Sequence, residues 1–119
     1  MAKKVVTLTE DQNIPSASRQ MYENNIGSVI VVDNGKKKRA VGIITERDVV
    51  RILGQLEPWL LTSPLRTLMT KPLITISANS SLRDGIQTMY TKNIRRLPVV
   101  SDKKTTDQIV GIINSQRHI

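Results

Sequence analysis

The chain repeats itself. Met21-Tyr22 recurs as Met89-Tyr90 and Asn25-Ile26 as Asn93-Ile94, each time 68 residues later. Gly42 and Gly111 lie 69 apart, so the second copy carries one extra residue in the turn before this glycine. The order of expected elements also starts again. Order, spacing and identity agreeing together mark an internal duplication with the unit β-α-β-β-α. One such unit is too small to cover both faces of its own sheet. The duplication therefore predicts an α/β (α+β) fold of two repeats packed about a pseudo-twofold axis around one core. The expected boundaries are residues 1–56 for the first repeat, 57–69 for a linker and 70–119 for the second, together one module.

Within each copy the local patterns are readable. Residues 5–9 and 73–77 read as matching extended stretches. Ile14, Ala17, Met21 and Tyr22 recur at helical spacing on one face, and Leu82, Ile86, Met89 and Tyr90 mark a second helix. Ser81 and Asp84 have capping-box spacing. The apolar run 28–33 predicts a strand covered on both faces. Asn34-Gly35 predicts a tight turn, with a return strand over 40–44. The helix from Glu46 is expected to turn Val49, Val50, Ile52 and Leu53 inward and to end near Gly54. Pro58 and Pro64 predict a kinked connection, with Trp59 packed over the joint between the halves. The last helix of the second copy should begin near Ser115. By residue 119 it is either missing or has only its first turn, which leaves an apolar sheet face short of cover and favours either a partner chain or a shortened sequence.

Composition excludes several classes of function. The chain is 39% hydrophobic and 24% charged, as expected of a globular protein. It has no cysteine, so no disulfide or thiolate metal site is available. Its single histidine, His118, lies at the chain end, and neither a general base nor a metal cluster is easily assembled. No catalysis and no metal are expected. No apolar run is long enough for a membrane helix, and the first residues lack a signal-peptide pattern, so the expected location is cytoplasmic. The net charge of +8 predicts attraction to something anionic. No basic segment is interleaved with aromatics in the manner of a single-strand binder.

One stretch concentrates polar chemistry. In Val41-Gly42-Ile43-Ile44-Thr45-Glu46-Arg47-Asp48 an apolar strand runs directly into a helix. Thr45 and Asp48 are three apart, the spacing of a helix cap and its first turn. The pair either caps this helix and does nothing more, or its hydroxyl, carboxylate and first-turn N–H groups form a binding corner. The copy at Val110 to Arg117 has Asn114 at the threonine position and Arg117 at the aspartate position.

Taken together, these pieces resemble the CBS-domain pair, or Bateman module. The resemblance rests on Ile26-Gly27-Ser28-Val29-Ile30-Val31-Val32-Asp33, the stretch ending in Asp48, Leu68-Met69-Thr70, Ile94-Arg95-Arg96-Leu97-Pro98-Val99-Val100 and Ile109-Val110-Gly111-Ile112-Ile113. It covers residues 5–119. It implies a non-catalytic regulatory, energy-sensing module that binds AMP, ADP, ATP or S-adenosylmethionine in the cleft between the repeats. It places Asp48 on the ribose hydroxyls and Thr45 near the phosphate. It adds Thr75 and Ile76 from the opening strand of the other repeat, with backbone near Pro98-Val99 lining the base. Arg47 brings charge to the phosphate. Thr7, Arg96, Asn114 and Arg117 make the second, degenerate site, because arginine accepts no hydrogen bond from ribose. Family modules pair into a disc-like homodimer through their helices and act on an effector protein. The alternatives are a nucleic-acid-associated regulator, or a purely structural dimerisation module with degenerate sites.

Overall fold

A computed structural model describes residues 4–101 and 109–115 of the chain. They gather into two compact units, residues 6–73 and residues 74–101 and 109–115 with Lys4 and Val5. In the first unit, β1 (Thr7–Thr9) lies parallel to β2 (Ser28–Val32), and β3 (Ala40–Thr45) lies antiparallel on the other side of β2. Helix α1 (Ile14–Asn24) connects β1 to β2, and α2 (Glu46–Gly54) follows β3. The second unit repeats this with β4 (Ile76–Ser77), α3 (Leu82–Lys92), β5 (Arg96–Val100) and β6 (Ile109–Asn114). No element follows β6 among the described residues.

The duplication extends to fine geometry. Both antiparallel pairs slip register at the same place, between Val31 and Val32 and between Val99 and Val100. Gly42 stands opposite Val31 and Gly111 opposite Val99. Helices α1 and α3 end alike, on Asn25 and Asn93 in the left-handed conformation at φ 52° and 54°. The next N–H then returns to the helix, from Ile26 to Met21 and from Ile94 to Met89, 3.0 Å each. Asparagine tolerates this conformation better than other side-chain-bearing residues, which explains why it recurs at the two stops.

One asymmetry has a covalent cause. The Ile30 N–H donates to the Val6 carbonyl at 3.0 Å and helps hold β1 alongside β2. The residue matching Ile30 is Pro98, which has no N–H to donate to Ile74. The strand expected over 73–77 is correspondingly reduced to Ile76–Ser77, and Thr75 lies just outside it.

The core of the first unit is formed by Ile14, Ala17, Met21, Val29, Val31, Ile44, Ile52, Leu60 and Leu65. Leu60 and Leu65 come from the stretch 57–69, where two 3-10 turns, Pro58–Leu61 and Leu65–Thr67, follow the prolines. The Leu65 and Arg66 N–H groups bond to the carbonyls of Gln12 and Glu10 at 2.8 and 3.0 Å. This stretch is therefore packed into the unit. It ends on the free edge of β3, where Thr70 and Ile43 exchange two backbone hydrogen bonds at 3.0 and 3.2 Å.

Several expected orientations are corrected. Trp59 is exposed, its indole N–H donating to Glu57 at 3.2 Å. Tyr22 and Tyr90 are exposed, as are Leu82 and Ile86. On α3 the buried side is Gly85 and Met89, and the apolar row 82, 86, 90 lies beside it, exposed. On α2 only Ile52 is buried, with Val49 packed against the core, while Val50 and Leu53 face outward. Apolar spacing alone could not separate a core face from a second apolar face beside it. The connection after β2 is also wider than a two-residue turn. The Asp33 carboxylate accepts from the Gly35 and Arg39 N–H groups, and Lys38 takes the positive φ of 47°.

Candidate functional site

Thr45 is the last residue of β3 and the N-cap of α2. Its backbone is extended (φ −113°, ψ 166°), which aims the hydroxyl back over the first turn. The Asp48 N–H donates to Thr45 Oγ1 at 3.2 Å, and the Thr45 N–H donates to Asp48 Oδ2 at 2.9 Å. This is a reciprocal capping box. Asp48 Oδ1 points away from the box and receives Arg51 Nη2 at 3.3 Å. The Asp48 side chain is 14% exposed and that of Arg51 is 56% exposed.

The box satisfies the capping role, and it leaves acceptor capacity. A carboxylate offers about four lone-pair positions, of which the box and Arg51 take two. The N–H cluster expected at the helix start is smaller than the sequence suggests. The Glu46 N–H donates to the Gly27 carbonyl at 3.0 Å and the Asp48 N–H is in the box. The Arg47 N–H and the exposed Arg47 side chain are what the first turn retains for an anion.

Two further residues belong to this corner. Ser28 stands opposite Thr45 in the β2–β3 ladder and is 5% exposed. In the sequence Ser28 reads only as part of an apolar strand, and its match 68 residues on, Arg96, is the one signal of a polar position. Arg51 lies three residues beyond Asp48, and that spacing, which puts the two side chains on one helix face, is its signal in the sequence.

The other expected site residues are placed as follows. Thr7 opens β1, exposed and level with Ile30. In the other unit, Thr75 precedes β4, Ile76 pairs with Val99, and Pro98 and Val99 are buried in β5. Arg96 stands opposite Asn114, as Ser28 stands opposite Thr45. The Ser115 N–H donates to the Arg95 carbonyl at 2.8 Å, repeating the Glu46–Gly27 bond. Asn114 thus occupies the position of Thr45. Arg117 lies outside the described residues. Among the described residues no cluster of His, Cys, Asp and Glu is fit for a metal, and no helix is long and apolar enough to cross a membrane.

Comparison with known proteins gives consistent matches. The model of the CBS domain family matches residues 1–55 and 65–116. An uncharacterized 17.7 kDa protein of Acidianus ambivalens is 31% identical over 111 residues, 93% of this chain and 63% of that protein. The chain spans 63%, 56% and 27% of the first three curated relatives it matches. Among solved structures, the CBS-domain containing protein ATU1752 from Agrobacterium tumefaciens superposes with a TM-score of 0.79 at 28% identity, covering 94% of this chain and 79% of that one. The CBS domain pair of protein MJ0100, solved in complex with 5′-methylthioadenosine and S-adenosyl-L-methionine, gives 0.79 at 26% identity, covering 97% and 85%.

Proposed function

The chain belongs to the CBS-domain family, with two repeats forming a Bateman module, and from that membership we propose that it is a non-catalytic regulatory module that binds an adenosine-containing ligand. The observation that carries this reading is the Thr45–Asp48 corner. A carboxylate held by a capping box keeps a fixed position and still accepts hydroxyl donors, as a ribose diol requires. The likeness to the MJ0100 pair supports an adenosyl ligand over other nucleosides. In this reading Arg47 serves a phosphate, and Thr75, Ile76, Pro98 and Val99 line the same ligand from the second repeat. Thr7, Arg96, Asn114 and Arg117 form a degenerate counterpart that takes an anion without ribose recognition. Isothermal titration with 5′-methylthioadenosine, S-adenosylmethionine, AMP and ATP is the test. Saturable heat is expected with at least one, and silence from all four at millimolar concentration would sink the reading.

A homodimer is the second part of the proposal. Val50 and Leu53 on α2 are 69% and 51% exposed, and Leu82 and Ile86 on α3 are 69% and 57% exposed. Apolar rows of this kind on two helices suit a helix-to-helix contact between copies. Sedimentation is expected to give a dimer, and Leu53→Lys with Ile86→Lys is expected to give a monomer. A monomeric wild-type chain at high micromolar concentration would remove this part alone.

A further inference from the structure

Asp48 carries the ribose contact in the proposed site, yet its outward oxygen already has a partner. Arg51 Nη2 lies 3.3 Å from Oδ1. The inward oxygen, Oδ2, is held by the Thr45 N–H at 2.9 Å. A diol approaching the carboxylate from outside therefore meets Oδ1, with the guanidinium beside it.

The formal charges around this corner balance. Glu46 and Asp48 stand against Arg47 and Arg51 over the first two turns of α2. Taking Arg51 away leaves one net negative charge there. An uncharged or cationic adenosyl ligand loses nothing by that change in charge and gains freer access to Oδ1. A ligand with phosphate meets a less favourable potential.

We infer that Arg51 is a positioning residue that orients the Asp48 carboxylate and sets the preference of this corner for nucleoside phosphates over uncharged or sulfonium adenosyl ligands. This rests on the adenosine-binding reading. Arg51 acts through Asp48 Oδ1 and through its charge. The charge at position 51, more than the fork shape of arginine, is what the ligand senses. The preference is a surface effect, so salt weakens it.

The test compares Kd values for AMP and 5′-methylthioadenosine on wild type, Arg51→Gln and Arg51→Lys, at low and at high salt. The expected shift of the AMP-to-methylthioadenosine affinity ratio in Arg51→Gln is about fivefold toward methylthioadenosine, in line with the modest strength of exposed charge pairs. Arg51→Lys is expected to restore most of the wild-type ratio, and high salt to shrink the difference. A merely structural role would weaken both ligands alike and leave the ratio unmoved. If both ligands bind wild type and the ratio changes less than twofold in Arg51→Gln, the inference is overturned and the adenosine-binding reading stands. If neither binds wild type, nor does ATP or S-adenosylmethionine, both fall together.

Discussion

Asp48→Asn is expected to keep the fold and lose the ligand. The asparagine side-chain oxygen still accepts the Thr45 N–H that Asp48 Oδ2 accepts at 2.9 Å. The amide NH2 then takes the place of Oδ1. It donates where a ribose hydroxyl needs an acceptor, and it meets Arg51 donor to donor. Hydrogen bonds to a charged group contribute about 1.5–3 kcal/mol, so affinity is expected to fall about 10- to 150-fold. Stability is expected to change by less than about 1 kcal/mol, because the cap survives. Asp48→Ala removes the carboxylate together with its half of the capping box, leaving only the bond from the backbone N–H of residue 48 to Thr45 Oγ1, and is expected to lose both stability and binding. Thermal melts beside ligand titrations of the two variants separate the roles. An Asp48→Asn protein that binds like wild type would leave Asp48 as a cap and nothing more.

Gly42→Val is expected to cost the unit of residues 6–73 about 1–3 kcal/mol, the range for overpacking a filled site. A Cβ at position 42 would collide with Met69 Sδ, lie 2.7 Å from Met69 Cγ and 3.0 Å from the Thr70 carbonyl oxygen. Met69 is flexible and can turn aside. The Thr70 carbonyl cannot, because it accepts from the Ile43 N–H while the Thr70 N–H donates back. A branched side chain there must open this pairing or bend β3. Gly54→Ala is the control, since nothing lies within 4 Å of a Cβ at that last residue of α2. It is expected to gain up to about 1 kcal/mol from helix propensity. Urea denaturation of both variants checks the pair, and equal stability of Gly42→Val and wild type would show that the 69–70 segment yields freely.

A glycine at position 42 leaves room for another group to come close, but nothing near it in the sequence says which group. That group is the end of the stretch 57–69, which reads as a proline-kinked linker. Leu60 and Leu65 are the residues that fix it in the core. Nothing in their local spacing distinguishes a packed 3-10 turn from an exposed one, since the partner carbonyls at Glu10 and Gln12 lie more than fifty residues earlier.

The duplication, the β-α-β-β-α order and the Thr45–Asp48 cap are legible from the sequence. Each of these depends on residues a few positions apart, or on two copies of one pattern, and such relations are written along the chain. The tertiary structure decided which apolar faces of α2 and α3 turn inward, where the 57–69 stretch goes, and that Ser28 stands opposite Thr45. It also reduced the free N–H groups at the start of α2 by pairing Glu46 with Gly27. These depend on what packs or pairs across the fold, which one-dimensional spacing does not contain. Asp48 belongs to both sets. Its cap was legible from a spacing of three, and the partner on its outward oxygen appeared only with the side chains in place.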